Sequence, residues 1–237
     1  MLPSSLKIRP IALLLDAGDT LLFVDHDAIA AALLTEGVRI DAAKLANAMP
    51  IAKHAYQTAV GKSQRHEDGW SIMIHALLVG AGLAVDRARE LLVPLRKIHD
   101  EFYFWRKQPE NLAAALTRAQ RGGLRLAVIS NSEGKIESML TRTGLRDAFE
   151  FVIDSHPEGV SKPNPEIFRR ALERMQIEAS RAIYAGDLPE IDLDGANAAG
   201  MHAVLVDAFD HYRDRPELPR VHSVAELVDE LLALPLA

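Results

Sequence analysis

Five short apolar runs constrain this chain more than any other feature: Ile11–Leu15, Leu126–Ile129, Phe151–Ile153, Ala182–Ala185 and Ala203–Val206. Each is continuous rather than alternating. Strands read that way when helices cover both faces of a parallel sheet. Helical patterns lie between the later runs, at Asn111–Arg121, Lys135–Thr143, Glu166–Met175 and Asp192–Ala199, and a last one covers Val224–Leu234. Strands alternating with helices predict an α/β fold with a doubly wound parallel sheet.

The alternation has one large gap. From Phe23 to about Gln108 no convincing strand is found. Amphipathic helical stretches stand there instead, near His26–Leu34, Ala42–Val60, Ser71–Leu78 and Arg87–Tyr103. In two of the entries an aspartate, Asp41 or Asp86, is placed to cap the next helix. The chain has 237 residues. At about 150 residues per domain that means one large domain, or a core with a smaller insertion. The division expected is therefore an α/β core over residues 1–22 and 109–237, with a helical insertion over 23–108 after the first strand.

Composition closes several doors. Lysine and arginine number 27 against 33 aspartates and glutamates, a net charge of −6. A general nucleic-acid binder would show a basic surplus. With no cysteine there is no disulfide, thiolate zinc site or thiol nucleophile. The longest uncharged stretch, Gly69 to Val85, contains Ser71, His75, Gly80 and Gly82. It falls short of the roughly 20 apolar residues a membrane span needs. The opening MLPSSLKIRP is polar, and the IALLL after it is too short for a signal peptide. A cytoplasmic protein without a membrane or nucleic-acid partner is expected, as monomer or homodimer.

In open parallel sheets ligands bind beyond the carboxyl ends of the strands. The first run is followed by Asp16-Ala17-Gly18-Asp19-Thr20-Leu21, and the second by Ser130 and Asn131. After the third comes a polar loop ending in Ser161-Lys162-Pro163-Asn164-Pro165; after the fourth come Gly186, Asp187 and, five residues on, Asp192. Carboxylates, a hydroxyl and a lysine together suit a divalent cation and a phosphate. Bland alternatives exist for each. Asp16, Ser130 and Asp192 also read as helix N-caps, Lys162 as a surface lysine, and Asp194 as solvent-facing.

Four segments in this order, LLLDAGDTL, VISN, the lysine of SKPNPEIF, and YAGDLPEIDLDGANAAGM, resemble the motifs of the haloacid dehalogenase superfamily. The resemblance covers Ile11–Leu21 and Asn111–Val206, and the insertion sits where that family places its helical cap. It implies a Rossmann-like hydrolase core that uses Mg²⁺ on a small phosphorylated molecule. Asp16 is then the nucleophile and a metal ligand, the Gly18 backbone carbonyl a second ligand and Asp187 a third, directly or through water. Asp192 supports the metal through water or from behind the direct ligands. Thr20, Ser130 and Asn131 contact the phosphoryl group, and Lys162 pairs with Asp16 and the transferring phosphoryl.

One position departs from the pattern. Phosphatases of the superfamily usually carry a second aspartate two residues after the nucleophile, to protonate the leaving oxygen and then activate water. Here that residue is Gly18, and Asp19 takes the next position, usually glycine. General acid–base catalysis contributes about 10²–10⁴-fold. The expectation is a slow phosphatase working through an aspartyl-phosphate on Asp16. Neighbours on an extended segment point to opposite sides, which argues against Asp19 as a substitute acid.

Alternatives are a dehalogenase, a phosphonatase-like C–P hydrolase using a lysine of the insertion, or a catalytically weak module that binds phosphometabolites. Lys53 and Lys62 are available, and nothing in the sequence marks either as buried. Substrate selection falls to the insertion, whose candidates are Asp25, His26, Lys53, Lys62, Arg65 and Arg106. The histidines His26, His54, His66, His75 and His99 read as surface or satisfied core residues, and Trp70, Phe102, Phe104 and Trp105 as packing.

Overall fold

A computed structural model describes residues 1–63 and 69–236, with side chains omitted for 60–63. In chain order, β1 (Ala12–Leu15) is followed by β2 (Phe23–Val24), α1 (His26–Thr35), α2 (Ala42–Ser63), α3 (Gly69–Gly80), α4 (Val85–Phe102) and β3 (Trp105–Lys107). Next come α5 (Leu112–Arg121), β4 (Arg125–Ser130), α6 (Ile136–Arg142), β5 (Phe151–Asp154), α7 (Ser155–Glu158), α8 (Pro165–Met175) and β6 (Ala182–Gly186). A π-helical turn (Pro189–Leu193) leads into α9 (Asp194–Ala198), β7 (His202–Val206), β8 (Arg220–Val221) and α10 (Val224–Ala233). The chain separates into two compact units, Met1–Leu22 with Gln108–Ala237, and Phe23–Lys107.

The first unit is a six-stranded sheet in the order β5-β4-β1-β6-β7-β8, every pair parallel. All five apolar runs are strands of it. Their side chains are buried on both faces: Leu13, Leu14 and Leu15 are all fully covered. Leu14 packs with Ala127, Ile129 and Tyr184 against Phe168 and Leu172 of α8 and Ala196 of α9. Leu13 and Leu15 point the other way, as strand alternation requires. Helices α5 and α10 lie side by side, joined by Arg118 and Asp229 at 3.0 Å. The edge strand β8 is too short to leave a pattern and was not expected.

The second unit has its own core, in which Ile29 and Leu33 of α1, Leu45 and Met49 of α2, Leu77 of α3, and Leu91 and Leu95 of α4 come together. It is not all-helical. β2 and β3 pair antiparallel, bringing Phe23 opposite Lys107 and Val24 opposite Trp105. Asp25 caps α1 by accepting the Ala28 N–H. Asp86 does not cap α4. The N-cap there is Ala84, and Asp86 sits in the first turn paired with Arg89 at 3.2 Å. Phe104 is buried, whereas Phe102 is more than half exposed and does not pack as expected. His99 is a satisfied core histidine: its Nδ1 accepts the Phe104 N–H at 3.2 Å, and the Trp70, Tyr103, Phe104 and Trp105 rings surround it. Arg65, His66 and the side chain of Lys62 lie outside the described residues. No described helix is long and apolar enough to cross a membrane.

Candidate active site

The carboxyl ends of β1, β4 and β6 meet in the middle of the first unit. β1 lies between β4 and β6, so the residue that leaves it emerges between two neighbours. That residue is Asp16, whose N–H still bonds the Ala185 carbonyl of β6 at 2.8 Å. The chain then turns tightly. Leu21 and Leu22 donate to the Ala17 carbonyl, and Asp19 donates to Leu22. Asp19 takes φ +49°, a left-handed conformation that aspartate tolerates better than most residues. It therefore fills the conformational slot of a glycine rather than lying on an extended segment. Gly18, without a side chain, forms a bridge with Leu22.

Lys162 reaches this strand end from the loop between α7 and α8. Asn131, just after β4, fixes that loop: its amide donates to the Lys162 carbonyl and accepts the Lys162 N–H, both at 2.9 Å. Asn164 caps α8 through the Glu166 N–H. The lysine side chain is 2 % exposed. Its Nζ lies 2.7 Å from Asp16 Oδ1, 2.7 Å from Asp192 Oδ1 and 2.8 Å from the Tyr184 hydroxyl.

Asp192 is delivered by the π-helical turn, where Asp194 N–H bonds back to the Pro189 carbonyl. Such turns are rare and concentrate at functional sites. The turn packs Asp192 beneath the end of β6. A Cβ at Gly186 would sit 2.3 Å from the Asp192 Cγ, so only glycine permits this approach. Asp192 caps no helix; its Oδ2 accepts the Leu188 N–H at 2.9 Å. Oδ1 is shared by Lys162 and Tyr184. Asp194 is exposed, as expected.

Asp16, Asp187 and Asp192 are buried, and one carboxylate oxygen from each lies within 4.8 Å of the others. Three carboxylates with one ammonium leave a surplus of negative charge among buried groups. A donor set made only of carboxylate oxygens fits a hard divalent cation such as Mg²⁺. Electrostatics record the same tension. Burial, and then the neighbouring Asp192, push the Asp16 carboxyl up to about 6 against the pull of Lys162. Burial works to lower the Lys162 ammonium, but Asp16 and Asp192 together hold it above its usual range. Burial, with Asp192 and Asp16 nearby, pushes the Tyr184 phenol well above its ordinary value.

Two hydroxyls belong to the segments at the ends of β1 and β4. Thr20 is 1 % exposed, and its Oγ1 has no hydrogen-bond partner among the described residues. Ser130 is buried at the end of β4. It does not cap α6, which begins only at Ile136 with Lys135 at its cap. The structure thus brings Asp16, Lys162, Asp187 and Asp192 together, while the Asn131 amide is turned onto the lysine loop. Tyr184 escaped the sequence reading. Its one signal was a hydroxyl-bearing ring inside the apolar run Ala182–Ala185, which reads as packing. Lys53, in the second unit, proves to be buried, at 6 % exposure.

The haloacid dehalogenase-like hydrolase family model matches residues 12–200. Among curated proteins, the chain is 38% identical over 129 residues to haloacid dehalogenase-like hydrolase domain-containing protein 3 of Mus musculus, covering 54% of this chain and 51% of that one. It is 37% identical over 107 residues to the pyrimidine 5'-nucleotidase YjjG of Escherichia coli, covering 44% and 47%. It is 36% identical over 128 residues to a phosphoserine phosphatase of Thermus thermophilus, covering 54% and 50%. The chain therefore spans about half the length of the curated relatives it matches. Among solved structures, the HAD-hydrolase YfnB of Bacillus subtilis, crystallised with magnesium, superposes with TM-score 0.73 at 21% identity, covering 95% of this chain and 99% of that one. A 2-haloacid dehalogenase of Pseudomonas syringae gives TM-score 0.58 at 24% identity, covering 94% and 97%. These two likenesses concern the fold.

Proposed function

The chain belongs to the haloacid dehalogenase-like hydrolases, and from that premise we propose that it is a Mg²⁺-dependent phosphatase of small phosphorylated molecules. The observation that carries this reading is the buried convergence of Asp16, Asp187 and Asp192 around one lysine. An active site that cleaved carbon–halogen bonds without metal would have no use for the surplus carboxylates. Relatives that include a nucleotidase and a phosphoserine phosphatase point the same way.

In this reading Asp16 attacks the phosphorus while the ester P–O bond breaks, giving an aspartyl-phosphate and a leaving alkoxide. Water then attacks that phosphorus and frees Asp16 and inorganic phosphate. Lys162 neutralises Asp16 and the charge on the transferring group. Thr20 and Ser130 offer hydroxyls to the phosphoryl oxygens, and the otherwise orphaned Thr20 Oγ1 gains a partner there. The Asn131 side chain, turned onto the Lys162 backbone, serves the phosphoryl group by holding that loop. Asp16, Asp187 and the Gly18 carbonyl would hold Mg²⁺ directly, with Asp192 supporting from behind. When bound, the cation offsets the repulsion between a carboxylate and a phosphate dianion. The helical unit 23–107 serves as the substrate-selecting cap.

Gly18 supplies no proton to the leaving oxygen. Turnover is therefore slow with alkyl esters and faster with aryl or acyl phosphates, whose leaving groups need little protonation. The test is p-nitrophenyl phosphate hydrolysis with Mg²⁺ and with EDTA. Asp16→Asn should lose activity by at least about 10³-fold, in line with removal of a covalent nucleophile. Equal rates in the two proteins would reject the assignment.

One observation favours a second reading. Lys53 is a buried amine, the type of group that can form a Schiff base with a carbonyl substrate. C–P hydrolysis of a carbonyl phosphonate would then be trapped on Lys53 by borohydride, and Lys53→Arg would abolish trapping. Halide release from 2-chloropropionate in EDTA would instead indicate a dehalogenase. Tight phosphometabolite binding without turnover over a broad panel would indicate a binding module.

A further inference from the structure

We propose that Tyr184 is a positioning residue for Lys162, holding the ammonium through its third N–H bond while its own O–H stands ready to replace that ammonium on Asp192. An ammonium has three N–H donors and no acceptor. At Lys162 all three have a partner: Asp16 Oδ1, Asp192 Oδ1 and the Tyr184 hydroxyl, at 2.7, 2.7 and 2.8 Å. The two carboxylates account for the charge. The hydroxyl accounts for the last donor, which at 2 % exposure would otherwise be buried without a partner.

Tyr184 is well built for this. It sits inside β6 with no exposed surface, and its ring meets Phe168 edge-on at 4.9 Å. The ring therefore cannot swing, and the oxygen has a fixed address. That oxygen also lies 3.0 Å from the Ile129 carbonyl and 3.2 Å from Asp192 Oδ1. A phenol carries one proton, so it donates to one of these acceptors at a time. Donation to Ile129, one residue before Ser130, leaves Asp192 to the ammonium. Rotation of the O–H towards Asp192 covers that carboxylate when Lys162 moves to the charge on a transferring phosphoryl group. Asp192 is 1 % exposed, and losing the ammonium without a substitute donor would be costly. The proton never leaves the tyrosine; only its acceptor changes.

The catalytic consequence rests on the phosphatase reading, while the positioning of Lys162 rests on the geometry alone. Tyr184→Phe separates them, because it keeps the ring and deletes the oxygen. The physical readout is the ¹H–¹⁵N spectrum of the lysine ammonium groups. The wild-type protein should give a slowly exchanging ammonium signal that disappears in Lys162→Met, which assigns it apart from any signal of the buried Lys53. In Tyr184→Phe its proton exchange should accelerate by about tenfold, the scale of one lost hydrogen bond to a charged group. With p-nitrophenyl phosphate, kcat should fall by about tenfold and KM change by less than about twofold, the pattern of an interaction that matters during transfer rather than on binding. Unchanged exchange would overturn the proposal, whatever the substrate. So would faster exchange with an undiminished kcat, which would make the hydroxyl a packing group. A wild-type protein inert towards phosphate esters, with exchange still accelerated in the variant, would retire the phosphatase reading and support the placement of Lys162.

Discussion

Gly18 and Asp19 have exchanged the usual chemistry of their two positions. In the proposed phosphatase mechanism Gly18 leaves the leaving group without an acid, and Asp19 occupies a left-handed turn position at φ +49°. Gly18→Asp should therefore raise turnover of alkyl phosphates, by up to about 10²-fold on the lower scale of acid–base contributions. Steady-state rates with an alkyl and an aryl ester compare the two cases; the gain should be larger for the alkyl ester. No gain with either would mean that another group already supplies the proton. At this scale the sequence was informative wherever a polar residue followed an apolar run, as Asp16 and Asp187 do. It was silent on Tyr184 and on the partners of the Asn131 side chain. A tyrosine within a strand looks like any large ring until the partner of its oxygen is known. The amide of Asn131 turned out to serve the backbone of a residue remote in sequence.

Five strands were legible because burial on both faces leaves continuous apolar runs. β2, β3 and β8 were not, since two or three residues carry no periodicity. The π-helical turn over Pro189–Leu193 was equally hidden: the sequence reads an ordinary helix from Asp192 on, and only the packed Gly186–Asp192 pair reveals the wide turn. The ribbon of β2 and β3 carries its own test. Asp25, at the end of β2, caps α1 and bonds Arg106 at 2.8 Å and Lys107 at 3.3 Å. Burial opposes its ionisation, but Arg106, the Ala28 N–H and Lys107 together lower its carboxyl below the usual 3.8. A depressed carboxyl adds stability above its unfolded-state value and loses it as pH falls through the folded one. Asp25→Ala should therefore cost about 1–2 kcal/mol at pH 7, the worth of a cap and a half-exposed ion pair. The difference should shrink as pH is lowered below about 4. Trp70 and Trp105, the protein's two tryptophans, both belong to the 23–107 unit, so their fluorescence during urea unfolding follows this unit. An equal loss at pH 3 and pH 7 would contradict the assignment.

For the molecule as a whole, a net charge of −6 has a particular distribution. Three of the acids face one another at the carboxyl ends of the strands, with a single lysine between two of them. Mg²⁺ should relieve that repulsion in the folded state alone. Free Mg²⁺ at 100 times its dissociation constant should stabilise the protein by about 2.7 kcal/mol. Thermal unfolding followed by circular dichroism should show a rise in midpoint with Mg²⁺ that EDTA reverses. Asp187→Asn should lose most of the rise. A midpoint indifferent to Mg²⁺ in the wild type would argue against a cation at this site.

The strand that leads into Asp16 is the first of the sheet to be made, and its two neighbours come long after it. Ala12 lies in register with Arg125 on one side and with Ala182 on the other. A chain emerging from a ribosome therefore carries β1 without either neighbour while the contiguous stretch Phe23–Lys107 already holds everything its own core requires. Only when Gly186 has been synthesised can hydrogen bonds close on both sides of β1. In translation order, Asp16 waits for Lys162, Asp187 and Asp192, and the cluster of charges cannot exist before all of them are made.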